Sequence, residues 1–116
     1  MSRSWRLFLQ DMLVCVRKVE SFTSDLSFAQ FVADDRTRDA VFGNLELLGE
    51  AAKKIPEGVQ IQHPEIDWRG VAGLRDVLAH SYFALEDATL WRIVREDLQR
   101  IAPELERIAR ANPPLG

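Results

Sequence analysis

The sequence predicts an all-α, up-and-down bundle of four main helices plus a short one, on three observations. Apolar residues recur every three or four positions through four long stretches, which gathers them on one side of a helix of about 3.6 residues per turn. No stretch of useful length alternates apolar and polar residues as a half-buried strand does. Asp, Ser, Pro and Gly stand at the ends of the periodic stretches, where helices start and stop. The 116 residues are read as one domain, 1–116, since domains usually run from about 50 to about 250 residues.

Each element has its own signature. Residues 3–22 place Trp5, Phe8, Met12, Cys15, Val16, Val19 and Phe22 on one apolar stripe. Ser24 or Asp25 can cap a short second segment, in which Phe28 and either Phe31 or Val32 face inward. The third stretch starts at an Asp34 or Asp35 cap and buries Val41, Phe42, Leu45, Leu48, Ala52 and Ile55. Pro56 and Gly58 close it. Residues 58–67 have no sustained period and read as a loop. Asp67 caps a fourth helix that begins near Trp68, turns Val71, Leu74, Val77 and Leu78 inward, and ends near Ser81. Asp87 caps a long last helix, with Leu90, Val94, Leu98, Ile101, Leu105 and Ile108 in register. Pro103 is expected to kink or break it near Ile101, and residues 111–116 to fray.

Composition narrows the chemistry. A net charge of -3 announces no nucleic-acid partner, although a local basic site can work on a mildly acidic body. Cys15 is the single cysteine, which excludes an intrachain disulfide and a cysteine-cluster zinc site and suits a core position in a reducing cytoplasm. No apolar run approaches the roughly 18 residues of a membrane span, and the N-terminus meets charge too early for a secretory signal. There is no Gly-rich phosphate loop and no glutamate followed three residues later by histidine, so a di-metal carboxylate bundle is unsupported. His63, Glu65 and Asp67 are a weak metal candidate on a loop without ordered geometry; no metal and no cofactor are expected.

The stretch "RDVLAHSY", residues 75–82, concentrates the reactive side chains. Asp76 and His80 are four apart and share a helix face, so the carboxylate can orient the imidazole. Arg75 and Tyr82 fall about 20 degrees apart on a wheel of roughly 100 degrees per residue. Histidine is the natural acid or base near neutrality, and arginine's planar fork suits the oxygens of a phosphodiester as charge builds on phosphorus. Together they can cleave RNA without metal, because the 2'-hydroxyl already lies beside the scissile phosphate. Arg75 and His80 are not close neighbours on one helix, but a two-fold contact between copies could unite them. The bland reading stands beside this one: a histidine near a helix C-terminus often only caps it, and Arg75 and Asp76 can be a solvated face. Gly43 and Gly49, costly inside a helix, point to close backbone approach in the third segment.

These residues sit in longer patterns. "RDVLAHSY" resembles the R-x4-H-x-Y motif of the HepT-like branch of the HEPN superfamily. "DAVFGNLELLGEAAKKIP" resembles that family's third-helix signature, and "IDWRGVAGLRDVLAHSYFALEDATLWRIVREDL" its signature from the fourth helix to the last. The resemblance implies a HEPN-like fold and a homodimeric endoribonuclease whose symmetric interface forms the RNA cleft, with tRNA or mRNA as substrate. Arg75 and His80 match the catalytic positions, and Asp76 the polar residue that follows the arginine. Tyr82 matches the tyrosine modified with AMP by a cognate MntA-type minimal nucleotidyltransferase, which uses ATP. The biology implied is a type VII toxin-antitoxin pair, in which AMP on Tyr82 would obstruct the phosphate site beside Arg75.

Asn44 and Glu50 belong to the third-helix signature. Glu50 borders the buried stripe and needs a partner, which Arg75 or a backbone amide could supply; the two residues are either structural or line the site. Arg36, Arg38 and Arg69 are candidates for steering the RNA backbone, against a plain solvated-face role. Two other readings remain: a non-catalytic helical nucleotide-binding or adaptor protein that partners a nucleotidyltransferase, and a plain dimerisation domain.

Overall fold

The computed structural model describes residues 4–81 and 87–114, the side chains of residues 77 and 79–81 excepted. The helices are α1 (Trp5–Thr23), α2 (Phe28–Val32), α3 (Asp35–Lys53), α4 (Glu57–Gln62), α5 (Trp68–Ser81), α6 (Asp87–Arg92) and α7 (Leu98–Ala111). A π-helical turn, Ile93–Asp97, joins the last two. Among the described residues there is no strand, and the architecture is the all-α bundle that the periodicity predicts.

Helix α3 is the central element, packed against α1 on one side and α5 on another, while α7 lies along α1. Its N-terminus is fixed by Asp34, whose carboxylate accepts from the Thr37 amide at 3.1 Å and the Thr37 hydroxyl at 2.6 Å. These bonds hold the Asp34 carboxyl below its ordinary pKa, the hydroxyl contributing most. The inward face of α3 carries Val41, Phe42, Leu45, Leu48 and Ala52, all buried as their spacing predicts. Burying each large apolar side chain of this kind stabilises the fold by about 1.5–3 kcal/mol.

Several expectations change. In α1 the stripe is rotated: Leu9 and Leu13 join the core beside Met12, Cys15, Val16 and Val19, whereas Phe22 is 39% exposed. The packed surface extends to the end of the helix, where Thr23 is buried, and the rotation of the stripe leaves Phe22 at its edge. The short second helix is capped by Ser27, not Ser24 or Asp25. Ser27 and Gln30 exchange bonds to each other's backbone N–H, and only Phe31 is fully buried, with Phe28 left 41% exposed. Both rings meet Trp91, Phe31 at 5.0 Å and Phe28 at 6.1 Å between centroids, with Phe31 beneath it in the core and Phe28 at the rim.

The segment expected to be a loop from residue 58 contains α4. No residue of α4 is buried, so it leaves no hydrophobic period to read. Pro56 precedes its first turn and the Gln60 side chain donates back to the Ile55 carbonyl at 2.9 Å. The next residues are anchored: Ile66 is buried, the Trp68 indole N–H donates to the His63 carbonyl at 2.9 Å, and Arg107 of α7 pairs with Glu65. Asp67 caps α5 as expected, accepting from the Gly70 amide at 3.0 Å.

Pro103 does not break the last helix. Helix α7 runs through it, and the irregularity lies earlier, in the π turn. Pro103 and Gln99, whose carbonyl the missing N–H would have bonded, are both exposed, so water can take that acceptor. The wide turn keeps Leu90, Ile93 and Val94 before it and Leu98, Leu105 and Ile108 after it in the same core.

The π turn also carries Arg95, which sequence spacing does not single out. Its guanidinium donates to the Thr23 and Leu26 carbonyls at 2.6 and 2.7 Å and stacks 4.3 Å from the Trp91 ring centroid. It thus adds a second donor to the Thr23 carbonyl, which also accepts from the Leu26 amide at 3.0 Å, and satisfies the Leu26 carbonyl in the turn after α1. Replacing Arg95 with Ala is expected to cost about 1.5–3 kcal/mol, the range for hydrogen bonds to a charged group; the urea midpoint measures it. The Glu65 carboxyl is held below its ordinary range first by its own backbone N–H, against opposing desolvation, with Arg107 and His63 adding to the lowering. A depressed folded pKa means that the tie stabilises above the ordinary glutamate range and fades as pH falls through the lower folded value. Carboxyl NMR titration should therefore find Glu65 protonating below the exposed glutamates.

Candidate functional site

The site is built where α3 crosses α5. A Cβ on Gly49 would lie 2.9 Å from the Arg75 backbone nitrogen, 3.1 Å from the Val71 carbonyl oxygen and 3.2 Å from the Arg75 Cβ. Only glycine permits this approach, so the close packing expected from the glycines of α3 is realised at Gly49. It is not realised at Gly43, where a Cβ would meet nothing within 4 Å.

Because the backbones approach at Gly49, the next residue lands beside Arg75. The Glu50 carboxylate forms an ion pair with Arg75 Nε at 2.7 Å. Asp76 follows on α5, with its Oδ1 at 3.8 Å from Arg75 Nη1 and at 3.3 Å from Lys53 Nζ, one turn further along α3. Two residues of α3 thus face two consecutive residues of α5, each acid against a base. All four side chains are solvent-accessible, between 37% and 58% exposed. Exposed pairs contribute little to folding, at most about 1 kcal/mol each, so the arrangement matters for how it presents the guanidinium.

The remaining candidates are placed apart from this cluster or fall outside the description. Asn44 donates to the Ala40 carbonyl of its own helix at 2.8 Å. It shares with Glu50 the edge of an apolar hollow of about 300 Å³ between α1 and α3, which Phe8, Val14 and Leu47 line. Arg38 pairs with Asp87 at the start of α6. Arg69 is exposed in the first turn of α5 and borders a groove of about 790 Å³ beside α4 and α7. The backbone of His80 lies in α5, but its side chain, like all of Tyr82, lies outside the described residues. His63 and Glu65 contact each other at 3.3 Å, and Asp67 is used as a helix cap. Lys53 is the member that sequence reasoning missed. Its position three after Glu50 was the available signal, but nothing in the chain order ties it to Asp76.

The all-α bundle displays an arginine-aspartate pair on α5, with His80 five residues after the arginine in the sequence, and similarity to known proteins gives the family. Residues 12–110 match the family described as ribonuclease HepT-like. The chain belongs to that family, a family of ribonucleases. It is 37% identical over 110 residues to a protein of Thermococcus cleftensis designated probable ribonuclease HepT, covering 95% of this chain and all of that one. It is likewise 37% identical over 105 residues to the Methanocaldococcus jannaschii protein MJ0127, whose RNase designation is provisional, covering 90% of this chain and 87% of that one. No solved structure matches. Among the described residues no helix is long and apolar enough to cross a membrane.

Replacing Gly49 with Ala is expected to force α5 away at Arg75 and to cost about 1–3 kcal/mol, the usual range for overpacking. Replacing Gly43 with Ala should instead stabilise by up to about 1 kcal/mol. Thermal melts of the two variants, one lower and one higher than the parent, check the assignment.

Proposed function

We propose that the protein is a metal-independent endoribonuclease, a single HepT-like domain that acts as a homodimer with paired α5 helices lining the RNA cleft. The observation that carries this reading is the presentation of Arg75: an exposed guanidinium anchored at Nε by Glu50, on the helix that bears His80. His80 acts as general base on the 2'-hydroxyl. The resulting oxygen attacks phosphorus while Arg75 stabilises the charge on the non-bridging oxygens, and the 5'-oxygen leaves with the proton that His80 took up, the imidazole acting as base and then as acid. The products are a 2',3'-cyclic phosphate and a 5'-hydroxyl. Asp76 orients the imidazole from the same helix face.

The family resemblance extends the proposal to biology. The protein acts in the cytoplasm on tRNA or mRNA as the toxin of a type VII toxin-antitoxin pair, and the partner is an MntA-type nucleotidyltransferase that spends ATP to place AMP on Tyr82. Tyr82 comes seven residues after Arg75 in the sequence, and an adenylyl phosphate placed near the guanidinium would compete with RNA phosphate for it, sterically and by charge. Arg38 and Arg69 would add backbone contacts at the edge.

The test is cleavage of labelled tRNA by purified protein with chelator present. Arg75→Ala and His80→Ala should each lower the rate by at least about a hundredfold, in line with the loss of an electrostatic or acid-base group, while dimer mass and helical content stay unchanged. Equal cutting by all three proteins, or cutting that chelator abolishes, would refute the proposal.

A further inference from the structure

We propose that Lys53 is a positioning residue for the guanidinium of Arg75, and that it acts by holding the carboxylate of Asp76 away from it. The inference rests on the catalytic role given to Arg75 above and names a member of the site outside the R-x4-H stretch. The geometry is specific. One oxygen, Asp76 Oδ1, lies 3.3 Å from Lys53 Nζ and 3.8 Å from Arg75 Nη1. The shorter contact goes to the lysine. Glu50 meanwhile takes the Nε edge of Arg75 at 2.7 Å.

The two edges of the guanidinium therefore meet different conditions. Anchoring at Nε sets the direction of the planar fork. The Nη edge is where a phosphodiester oxygen would bind, and Asp76 is the adjacent competitor for it. A carboxylate next in sequence to the arginine needs to move only about 1 Å to reach the 2.7–2.9 Å of a charge-assisted hydrogen bond. Lys53 opposes that movement by drawing the same oxygen toward α3. Glu50 and Lys53 are three residues apart on α3 and so share a face, while Arg75 and Asp76 are consecutive on α5. Exchanging partners would set Glu50 against Asp76 and Lys53 against Arg75, both like-charged. The register of the two helices thus selects one pairing.

Two roles for Lys53 give opposite kinetics. As a positioning residue it acts on the transition state through Asp76. As a direct phosphate contact it would act on RNA affinity and on salt dependence. The experiment measures RNA cleavage by the full-length protein for Lys53→Ala, Lys53→Arg, Asp76→Asn and the Lys53→Ala/Asp76→Asn double variant, at two salt concentrations. Lys53→Ala is expected to lower kcat by about ten- to a hundredfold, the scale of a misoriented catalytic group, with KM and salt dependence little changed. Lys53→Arg should restore most of the rate, and in the Asp76→Asn background the loss should shrink to about twofold or less, since removing the carboxylate's charge removes the competitor.

A rise in KM with a weaker salt dependence, equal in both backgrounds, would overturn the proposal and make Lys53 a phosphate contact. No change in any constant would overturn it as well. Guanidinium 15N NMR supplies a readout independent of turnover: Lys53→Ala should slow rotation of the Arg75 Nη groups as Asp76 engages them, and unaltered rotation counts against the idea. Arg75→Ala is assayed alongside. Unchanged cleavage in that variant removes the assigned role of Arg75, while the NMR result still decides what Lys53 does to it.

Discussion

The contact between α3 and α5 at Gly49 is the constraint on which the rest of the site depends. A glycine inside a helix costs about 1 kcal/mol relative to alanine, and here it permits an approach that a Cβ, 2.9 Å from the Arg75 nitrogen, would forbid. With the axes this close, the side chains on either side of Gly49 on α3 have opposite fates. Leu48 turns into the core, and Glu50 turns outward onto Arg75. One missing methyl group thus couples the packing of the bundle to the orientation of an exposed cation, Arg75.

Helix α5 consequently has two characters. Its inner face, with Val71 and Leu78 buried, is held by the same apolar packing that stabilises the whole bundle. Its outer face carries charges whose mutual pairing contributes little to folding, because water screens it. This division matters for an enzyme acting on a polyanion. The scaffold sets where the guanidinium is, while the exposed ion pairs can rearrange without loss of the fold.

Legibility from the sequence followed the size of the apolar signal. The faces of α3 and α5 were legible because a long amphipathic element buries enough surface for its period to dominate. Helix α4 was not, because none of its residues is buried. Phe22 was misassigned because the buried stripe of α1 is rotated toward Leu9, Leu13 and Thr23, and Phe28 because a one-turn helix is too short for its period to show which face is inward. Pro103 misled because its effect depends on whether water reaches the carbonyl it leaves unpaired, and residues 99 and 103 are both exposed. Arg95, whose acceptors lie near the start of the chain, gives no local signal at all.

By itself the sequence determined the helical periods, the caps at Asp34 and Asp67, and the motifs that carry the family likeness. All of these are written within a few consecutive turns, where the chain's own geometry relates the residues. It also supplied Arg75 and Asp76 as neighbours. Only the tertiary structure decided that Glu50 meets Arg75, that Lys53 meets Asp76, and that Arg38 is drawn to Asp87 instead. Those partners lie more than twenty residues apart, and which charges meet across two helices depends on their crossing and register. The packing of buried side chains sets both.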